Sequence, residues 1–208
     1  MTAQDCLEEL RRIRDAAFAT VDETGAPQVR IIDVMLAEAG ALYFCTARGK
    51  EFYRQLTADG RVAVTALNRD WQMFRLSGRA RRLEGQKTWI DRIFAANPSM
   101  EQVYPGPSRY VLEPFCVDNG EVEYFDLGRH PIARQRFALG EAAAAPKGFA
   151  ITAGCIGCGK CSRACPQQCI HPGRPYAIDQ AHCLHCGLCY ETCPVQAVER
   201  KGGDRWPN

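Results

Sequence analysis

The chain contains no apolar run long enough to cross a bilayer. Its first ten residues, Met-Thr-Ala-Gln-Asp-Cys-Leu-Glu-Glu-Leu, are acidic and amphipathic where a secretory leader would be basic and then apolar. Both absences argue against a membrane role and predict a cytoplasmic protein. Charge of one sign is also missing: 26 Lys and Arg stand against 24 Asp and Glu, a formal net charge of +2. Nucleic-acid binding therefore has no electrostatic support. Histidine is scarce, with His130, His171, His182 and His185 the only four, and no residue stands out as a catalytic acid or base. Nothing suggests disorder: 46% hydrophobic and 24% charged residues are ordinary for a globular protein, and 208 residues have room for one domain of usual size and a smaller one.

What the chain does have is cysteine, twelve in all. Eight of them spell Cys155-x2-Cys158-x2-Cys161-x3-Cys165-Pro166 and, 28 residues on, Cys183-x2-Cys186-x2-Cys189-x3-Cys193-Pro194. Zinc sites use pairs of ligands across a longer spacer, and disulfide frameworks belong to secreted chains. Three thiolates at x2 spacing instead wrap one face of an iron–sulfur cubane, while the fourth cysteine, before proline, is directed to the other cluster. This predicts one [4Fe-4S] cluster on Cys155, Cys158, Cys161 and Cys193 and a second on Cys183, Cys186, Cys189 and Cys165. The segment from Gly148 to Lys201 resembles bacterial two-cluster ferredoxins, its halves repeating as a pseudo-twofold domain would. Ile151, Ile156, Ile170, Ile178, Leu184, Leu188 and Val195 supply apolar wrapping. Cys169 lies outside the ligand pattern and reads as a small buried residue, as do the scattered Cys6, Cys45 and Cys116. With eight thiolates and two cores of about +2 each counted, the charge balance falls to −2. Oxygen-sensitive clusters also point to an anaerobic or low-oxygen host.

Ahead of the clusters, Thr2 with Asp5 three residues later opens a helix over residues 3–14, with Leu7, Leu10 and Ile13 at helical spacing. Segments 16–21, 28–36, 41–46, 61–67, 72–83 and 121–125 are rich in β-branched and aromatic residues and read as antiparallel strands, separated by turns at 22–25, 38–40 and 59–60. Helices are expected at 50–56 and 86–96, a proline-rich loop at 97–107 and a hairpin around Asp118-Asn119-Gly120. Arg75, Arg79, Arg81 and Arg82 read as a solvated strand face. Six strands with few helices imply a small β-barrel. The predicted architecture is therefore mainly β: a six-stranded antiparallel split barrel over residues 1–137, a linker at 138–147, and a small α+β ferredoxin-like domain at 148–208.

The order of helix, strands and turns carries recognisable local sequence: Ala26-Pro27-Gln28-Val29-Arg30, Leu42-Tyr43-Phe44-Cys45-Thr46, Arg48-Gly49-Lys50 and Phe74-Arg75-Leu76-Ser77-Gly78. Residues 1 to about 135 resemble the pyridoxamine 5'-phosphate oxidase-like split barrels that bind FMN at a homodimer interface. The resemblance implies that Arg30, Thr46 and Lys50 hold the FMN phosphate with Arg48 in reserve. A phosphate dianion suits an Arg, a Lys and a hydroxyl beside a helix N-terminus. It also implies that Ile31, Ile32 and Phe44 flank the isoalloxazine and that Gln72 reaches the flavin. There are departures. Met73 stands where the B6-oxidising enzymes carry Gln, and Arg129-His130 is not their Arg-x-His signature, which argues against vitamin B6 oxidation.

Clusters carry one electron at a time and flavins one or two, so the fusion reads as an oxidoreductase relaying electrons from an external ferredoxin or reductase, through the clusters and FMN, to a small-molecule acceptor. Tyr43, Tyr53, Tyr104 and Tyr110 are the residues able to give a proton near a flavin, though barrel aromatics are more often core. Two other readings stay open at this point: an electron-transfer subunit that docks on a larger enzyme, and a barrel holding haem or the deazaflavin F420. Haem has only His130 as a candidate ligand in the barrel half, and a deazaflavin passes hydride rather than single electrons.

Overall fold

The computed structural model describes residues 1–144 and 146–202. They form two compact units, one of residues 1–69, 73–124 and 136–144 and one of residues 70–72, 125–135 and 146–202.

The first unit opens with helix α1 (Ala3–Ile13), closed at its start by a reciprocal cap. The Asp5 amide donates to Thr2 Oγ1 at 3.1 Å and the Thr2 amide donates to the Asp5 carboxylate at 2.7 Å. Strands β1 (Asp15–Val21) and β2 (Pro27–Asp33) form a hairpin whose turn is tied by Asp22. Its carboxylate accepts from the Thr24 hydroxyl, Gln28 and the Thr24 and Ala26 amides, which hold its pKa down to about 2. There follow β3 (Leu36–Glu38), β4 (Ala41–Ala47), α2 (Glu51–Ala58), β5 (Arg61–Leu67), β6 (Gln72–Arg79), β7 (Arg81–Arg82), α3 (Gln86–Ala96), β8 (Leu112–Val117), β9 (Gly120–Asp126) and β10 (Ala133–Leu139). Two sheets result, in the orders β10-β9-β6-β5-β1-β2 and β3-β4-β8-β7.

Mainly antiparallel β structure with few helices is what the sequence predicts, but ten strands stand where six were expected. The segment 28–36, read as one strand, is two. Val34 and Met35 are buried and carry the chain from one sheet to the other, with the Val34 amide on the Arg14 carbonyl and the Met35 amide on the Tyr43 carbonyl. The segment 72–83 breaks at Ala80, whose amide turns to the Gly60 carbonyl at 2.7 Å. The turn at Asp118-Asn119-Gly120 is not the hairpin expected there, because β8 and β9 on either side of it belong to different sheets. The extent of β8 is hidden in the sequence because Glu113 and Pro114 interrupt its apolar pattern and proline cannot donate to a ladder. The strand is nonetheless buried along its length between β4 and β7. Strand β10, Ala-Arg-Gln-Arg-Phe-Ala-Leu, reads as polar and runs two residues into the segment taken as linker. The loop 97–107 contains one 3₁₀ turn, Pro98–Gln102, and the start of another, Gly106–Val111.

The core of this unit is aromatic. Phe44 packs against Phe18 at 4.9 Å between ring centroids and against Phe52 and Phe115 at 5.7 Å each. Ile90, Ile93 and Phe94 of α3 cover Met35, Cys45 and Leu112. Asn97, 3% exposed, plugs the end of α3: its amide nitrogen donates to the Met35 and Ile93 carbonyls at 3.1 and 2.8 Å, and its oxygen accepts from Arg11 at 2.7 Å. Asn97→Ala strands these partners and should cost about 2 kcal/mol in urea unfolding. A loss below about 0.5 kcal/mol, the range of ordinary surface changes, would show that the amide is dispensable.

The arginines of β6 and β7 are exposed, but the two strands belong to different sheets and so present no single face, and each arginine has an acceptor: Glu123 for Arg75, the Asp59 carbonyl for Arg79, Asp118 for Arg81, and Glu113 with the Tyr53 hydroxyl for Arg82. The outer face of the larger sheet is otherwise apolar at its β2 edge. Val29 and Ile31 are 72% and 65% exposed and sit opposite Ala19 and Ala17, with Ala63 and Thr65 next in line.

The cysteine-rich part of the second unit is a structural repeat. It contains β11 (Phe149–Ile151), α4 (Lys160–Ala164), β12 (Ile170–His171), β13 (Ala177–Ile178), α5 (Leu188–Thr192) and β14 (Val198–Arg200). A shift of 28 residues carries Phe149 to Ala177, Lys160 to Leu188 and Ile170 to Val198, the first residues of matching elements. Strand β11 pairs with β14 and β12 with β13, so each half contributes to both ladders. Both helices start after a glycine in the left-handed region, Gly159 (φ 69°) and Gly187 (φ 86°). No helix among the described residues is long and apolar enough to cross a membrane.

Candidate functional site

Two cysteine-lined cavities occupy the second unit. Cys155, Cys158, Cys161 and Cys193 line one with Ile151 and Val198. Cys165, Cys183, Cys186 and Cys189 line the other with Phe149 and Ile178. The fourth cysteine of each run thus lies with the first three of the other. Helices α4 and α5 bring this about: each begins just before the third cysteine of its run and ends just before the fourth, whose extended backbone leads away. Cys158 and Cys186, in the middle of each run, are exposed, and the rest are buried or half-buried.

Amides point at several sulfurs. Cys155 is lowered from the usual thiol range by the amides of Tyr176 and Gly157. The Ala197 amide donates to Cys193 Sγ at 3.2 Å and the His185 amide to Cys183 Sγ at 3.4 Å. Cys183 is brought to about 6, first by a hydrogen bond from Cys169, with the His185 amide and Arg134 adding to it against burial. Arg134 stands 4.4 Å over the Phe125 ring and donates to the Cys183 carbonyl at 3.1 Å. Cys189, by contrast, is pushed up to about 12, chiefly by burial.

No three His, Cys, Asp or Glu side chains among the described residues converge on a single-ion site. A tetrahedral zinc would gather its sulfurs to within about 4 Å of one another. Sulfurs spaced around an apolar cavity, with backbone amides aimed at them, instead suit a polynuclear cluster in which each takes its own iron.

In the first unit, the turn from β4 into α2 brings together three of the residues read as phosphate ligands. Thr46 is 2% exposed and its hydroxyl oxygen has no hydrogen-bond partner. An orphaned buried hydroxyl costs stability unless a ligand satisfies it. Lys50 caps α2, is exposed, and makes no capping bond with its side chain. Arg48 instead pairs with Glu113 at 2.9 Å and donates to the Tyr110 carbonyl. Glu113 is directly opposite Thr46 in the β4–β8 register, so Arg48 and Arg82 neutralise a carboxylate that would repel an anion there.

Arg30, on β2, packs against α2 at Phe52 and Gln55. Its guanidinium donates to Thr20 Oγ1 at 2.6 Å, Gln55 Oε1 at 2.8 Å and the Phe18 carbonyl at 3.3 Å, and it covers the Phe52 ring at 4.6 Å. It borders an open groove of about 610 Å³ shared with Arg54 and Arg61. Ile31 is exposed and Ile32 half-buried on β2, whereas the Phe44 side chain is wholly inside the aromatic core and offers only its backbone to a ligand. Gln72 donates to Asp126 at 3.2 Å. Of the four tyrosines, Tyr110 donates to Asp91, Tyr43 stacks on Trp89 and Tyr104 packs beside α3, while Tyr53 accepts from Arg82. The supports of Arg30 and the neutralising role of Glu113 were not read from sequence. Thr20 and Gln55 carry no local signal, and Glu113 is hidden by the disguise of β8.

Residues 3–113 match the family model of pyridoxamine 5'-phosphate oxidase. The chain belongs to this family. Residues 154–197 match the model of a 4Fe-4S dicluster domain, so the oxidase-family part is followed by an iron–sulfur part. The chain has no match among curated proteins. Among solved structures, a NimC/NimA family protein of Clostridium acetobutylicum is similar with a TM-score of 0.56 and 20% identity, over 66% of this chain and 92% of its own. A protein of the same organism related to general stress protein 26, of the pyridoxine phosphate oxidase family, gives 0.51 and 12% over 65% and 95%. A haem-binding protein of Mycobacterium smegmatis gives 0.52 and 17% over 66% and 58%. These likenesses are of fold.

Proposed function

We propose that the protein is a flavin and iron–sulfur oxidoreductase: two [4Fe-4S] clusters, one on Cys155, Cys158, Cys161 and Cys193 and one on Cys183, Cys186, Cys189 and Cys165, serve an FMN held at the β4–α2 turn, for the reduction of a small-molecule acceptor. The observation that carries this reading is the gathering of four cysteines, three from one repeat and one from the other, around each of two apolar cavities in a chain of the oxidase family. When bound, the clusters would carry single electrons and FMN one or two, which couples one-electron donors to a two-electron acceptor.

The chain's own residues divide the work. Lys50 supplies a point charge and Thr46 a hydroxyl for the phosphate, while Arg48 keeps Glu113 from opposing it. Thr20 and Gln55 fix the Arg30 guanidinium beside α2. Apolar walls keep water from the thiolates, and the exposed Cys158 and Cys186 mark the edges that an external ferredoxin or reductase would approach. The exposed Val29 and Ile31 on a sheet face of small residues support a homodimer through the barrel. Ligating thiolates suit a reducing cytoplasm.

The test is anaerobic: iron, sulfide and FMN are quantified, and dithionite titration is followed by absorption and EPR. About eight irons per chain with stoichiometric FMN, the flavin bleaching along with the clusters, is the expected result. Eight irons without flavin would overturn the enzyme reading in favour of an electron-transfer subunit.

A further inference from the structure

Nine cysteines lie in the repeat, and the ninth has not been accounted for. Cys169 is 4% exposed and lines the same cavity as Cys165, Cys183, Cys186 and Cys189. Its sulfur is 3.6 Å from Cys165 Sγ, and it shares a cavity wall with Cys183, so it stands among cysteines of both repeats. The loop that carries it is short and closed. The Gln168 amide donates to the Cys165 carbonyl at 3.1 Å, and the Cys169 carbonyl accepts from the Asp179 amide at 2.8 Å.

The repeat supplies an internal comparison. A shift of 28 residues carries Cys169 to Ala197, which is 3% exposed. The same buried position is filled by a methyl group in one half and by a thiol in the other, so packing alone does not require the sulfur. Only the cavity of Cys183 has a fifth sulfur in its wall. A change of χ1 moves a cysteine sulfur by roughly 3 Å between staggered positions, which is comparable with the gap between Cys169 and Cys165.

We propose that Cys169 is a reserve ligand, able to complete the cluster of Cys183, Cys186 and Cys189 when Cys165 is lost or blocked. This rests on the two-cluster reading above. In the exchange, the bond between iron and Cys165 Sγ is replaced by one to Cys169 Sγ. The Cys169 thiol gives its proton to solvent, an intact Cys165 released as thiol takes one up, and no electron is transferred. The pairing makes this site more tolerant of ligand loss than its twin.

The experiment compares the full chain with the variants Cys169→Ala, Cys165→Ala, Cys165→Ala/Cys169→Ala and Cys193→Ala, all purified anaerobically, by iron content and EPR. The unaltered chain, Cys169→Ala and Cys165→Ala should each hold about eight irons, with Cys165→Ala showing a changed line shape for one reduced cluster. Cys193→Ala, in the half where Ala197 stands in the place of Cys169, and the double variant should lose about one iron and show the signal of an oxidised three-iron cluster. Iron loss in Cys165→Ala equal to that in Cys193→Ala would overturn the reserve role, as would full iron in the double variant. Iron loss in Cys169→Ala alone would also overturn it, by making that residue an obligate part of the site. Fewer than eight irons in the unaltered chain would remove the two-cluster reading and this inference with it.

Discussion

Stripping the iron is expected to unfold the cysteine-rich repeat while the first unit stays folded. The repeat's strands are two or three residues long and its two helices five residues each. Helices of that length do not persist alone in water, and isolated short hairpins are marginal. Its buried cluster offers little to hold them: four of the seven residues are cysteines, Cys161, Cys169, Cys183 and Cys189, beside Phe149, Ile170 and Val198. In a core so made, metal binding is folding free energy, of order 10 kcal/mol for structural sites in small domains. The first unit has its own core of stacked phenylalanines and needs no thiolate. After treatment with chelator and oxidant, limited proteolysis should degrade residues 146–202 and leave a resistant fragment of the first unit, with a matching loss in far-UV circular dichroism. Full protease resistance in iron-free protein would mean that the repeat folds on side-chain packing alone.

Thr46→Val should move stability and flavin affinity in opposite directions. Valine fills the same volume and removes a buried hydroxyl that has no partner, so the cofactor-free protein should gain about 1 kcal/mol in urea unfolding. The same change removes a donor from the phosphate site and should weaken FMN several-fold. Lys50→Ala should weaken it further, by roughly 10- to 100-fold, as expected for a charge-assisted contact worth about 1.5–3 kcal/mol. Because Lys50 is exposed, that loss should shrink as salt is added. Fluorescence titration of FMN at two ionic strengths reads both effects. Unchanged affinity in Thr46→Val, together with the gain in stability, would move the phosphate away from α2's first turn towards the groove beside Arg30.

The cysteine-rich repeat was legible because its chemistry is local. Cysteine spacing, glycine before each helix and proline after each fourth cysteine are short-range signals, and the repeat doubles them. The cap of α1 was legible for the same reason. The first unit was legible in class, as mainly antiparallel β structure with few helices, and less so in detail. Strand β8 carries a glutamate and a proline, and its burial comes from β4 and β7, which are far away in sequence. The split at Val34 and Met35 leaves no mark in composition, since both residues are as apolar as a continuous strand would require. For the candidate phosphate site the residue types could be read, but not what each side chain was already bonded to. Arg48 is held by Glu113, Gln72 by Asp126 and Phe44 by three other rings.

The crossing of Cys165 and Cys193 into each other's cavities makes the two repeats interdependent. Each cavity draws three of its pattern cysteines from one half and the fourth from the other, so a chain cut between the halves would leave both cavities a sulfur short. The pair is therefore one indivisible module, carried whole behind the oxidase-family part.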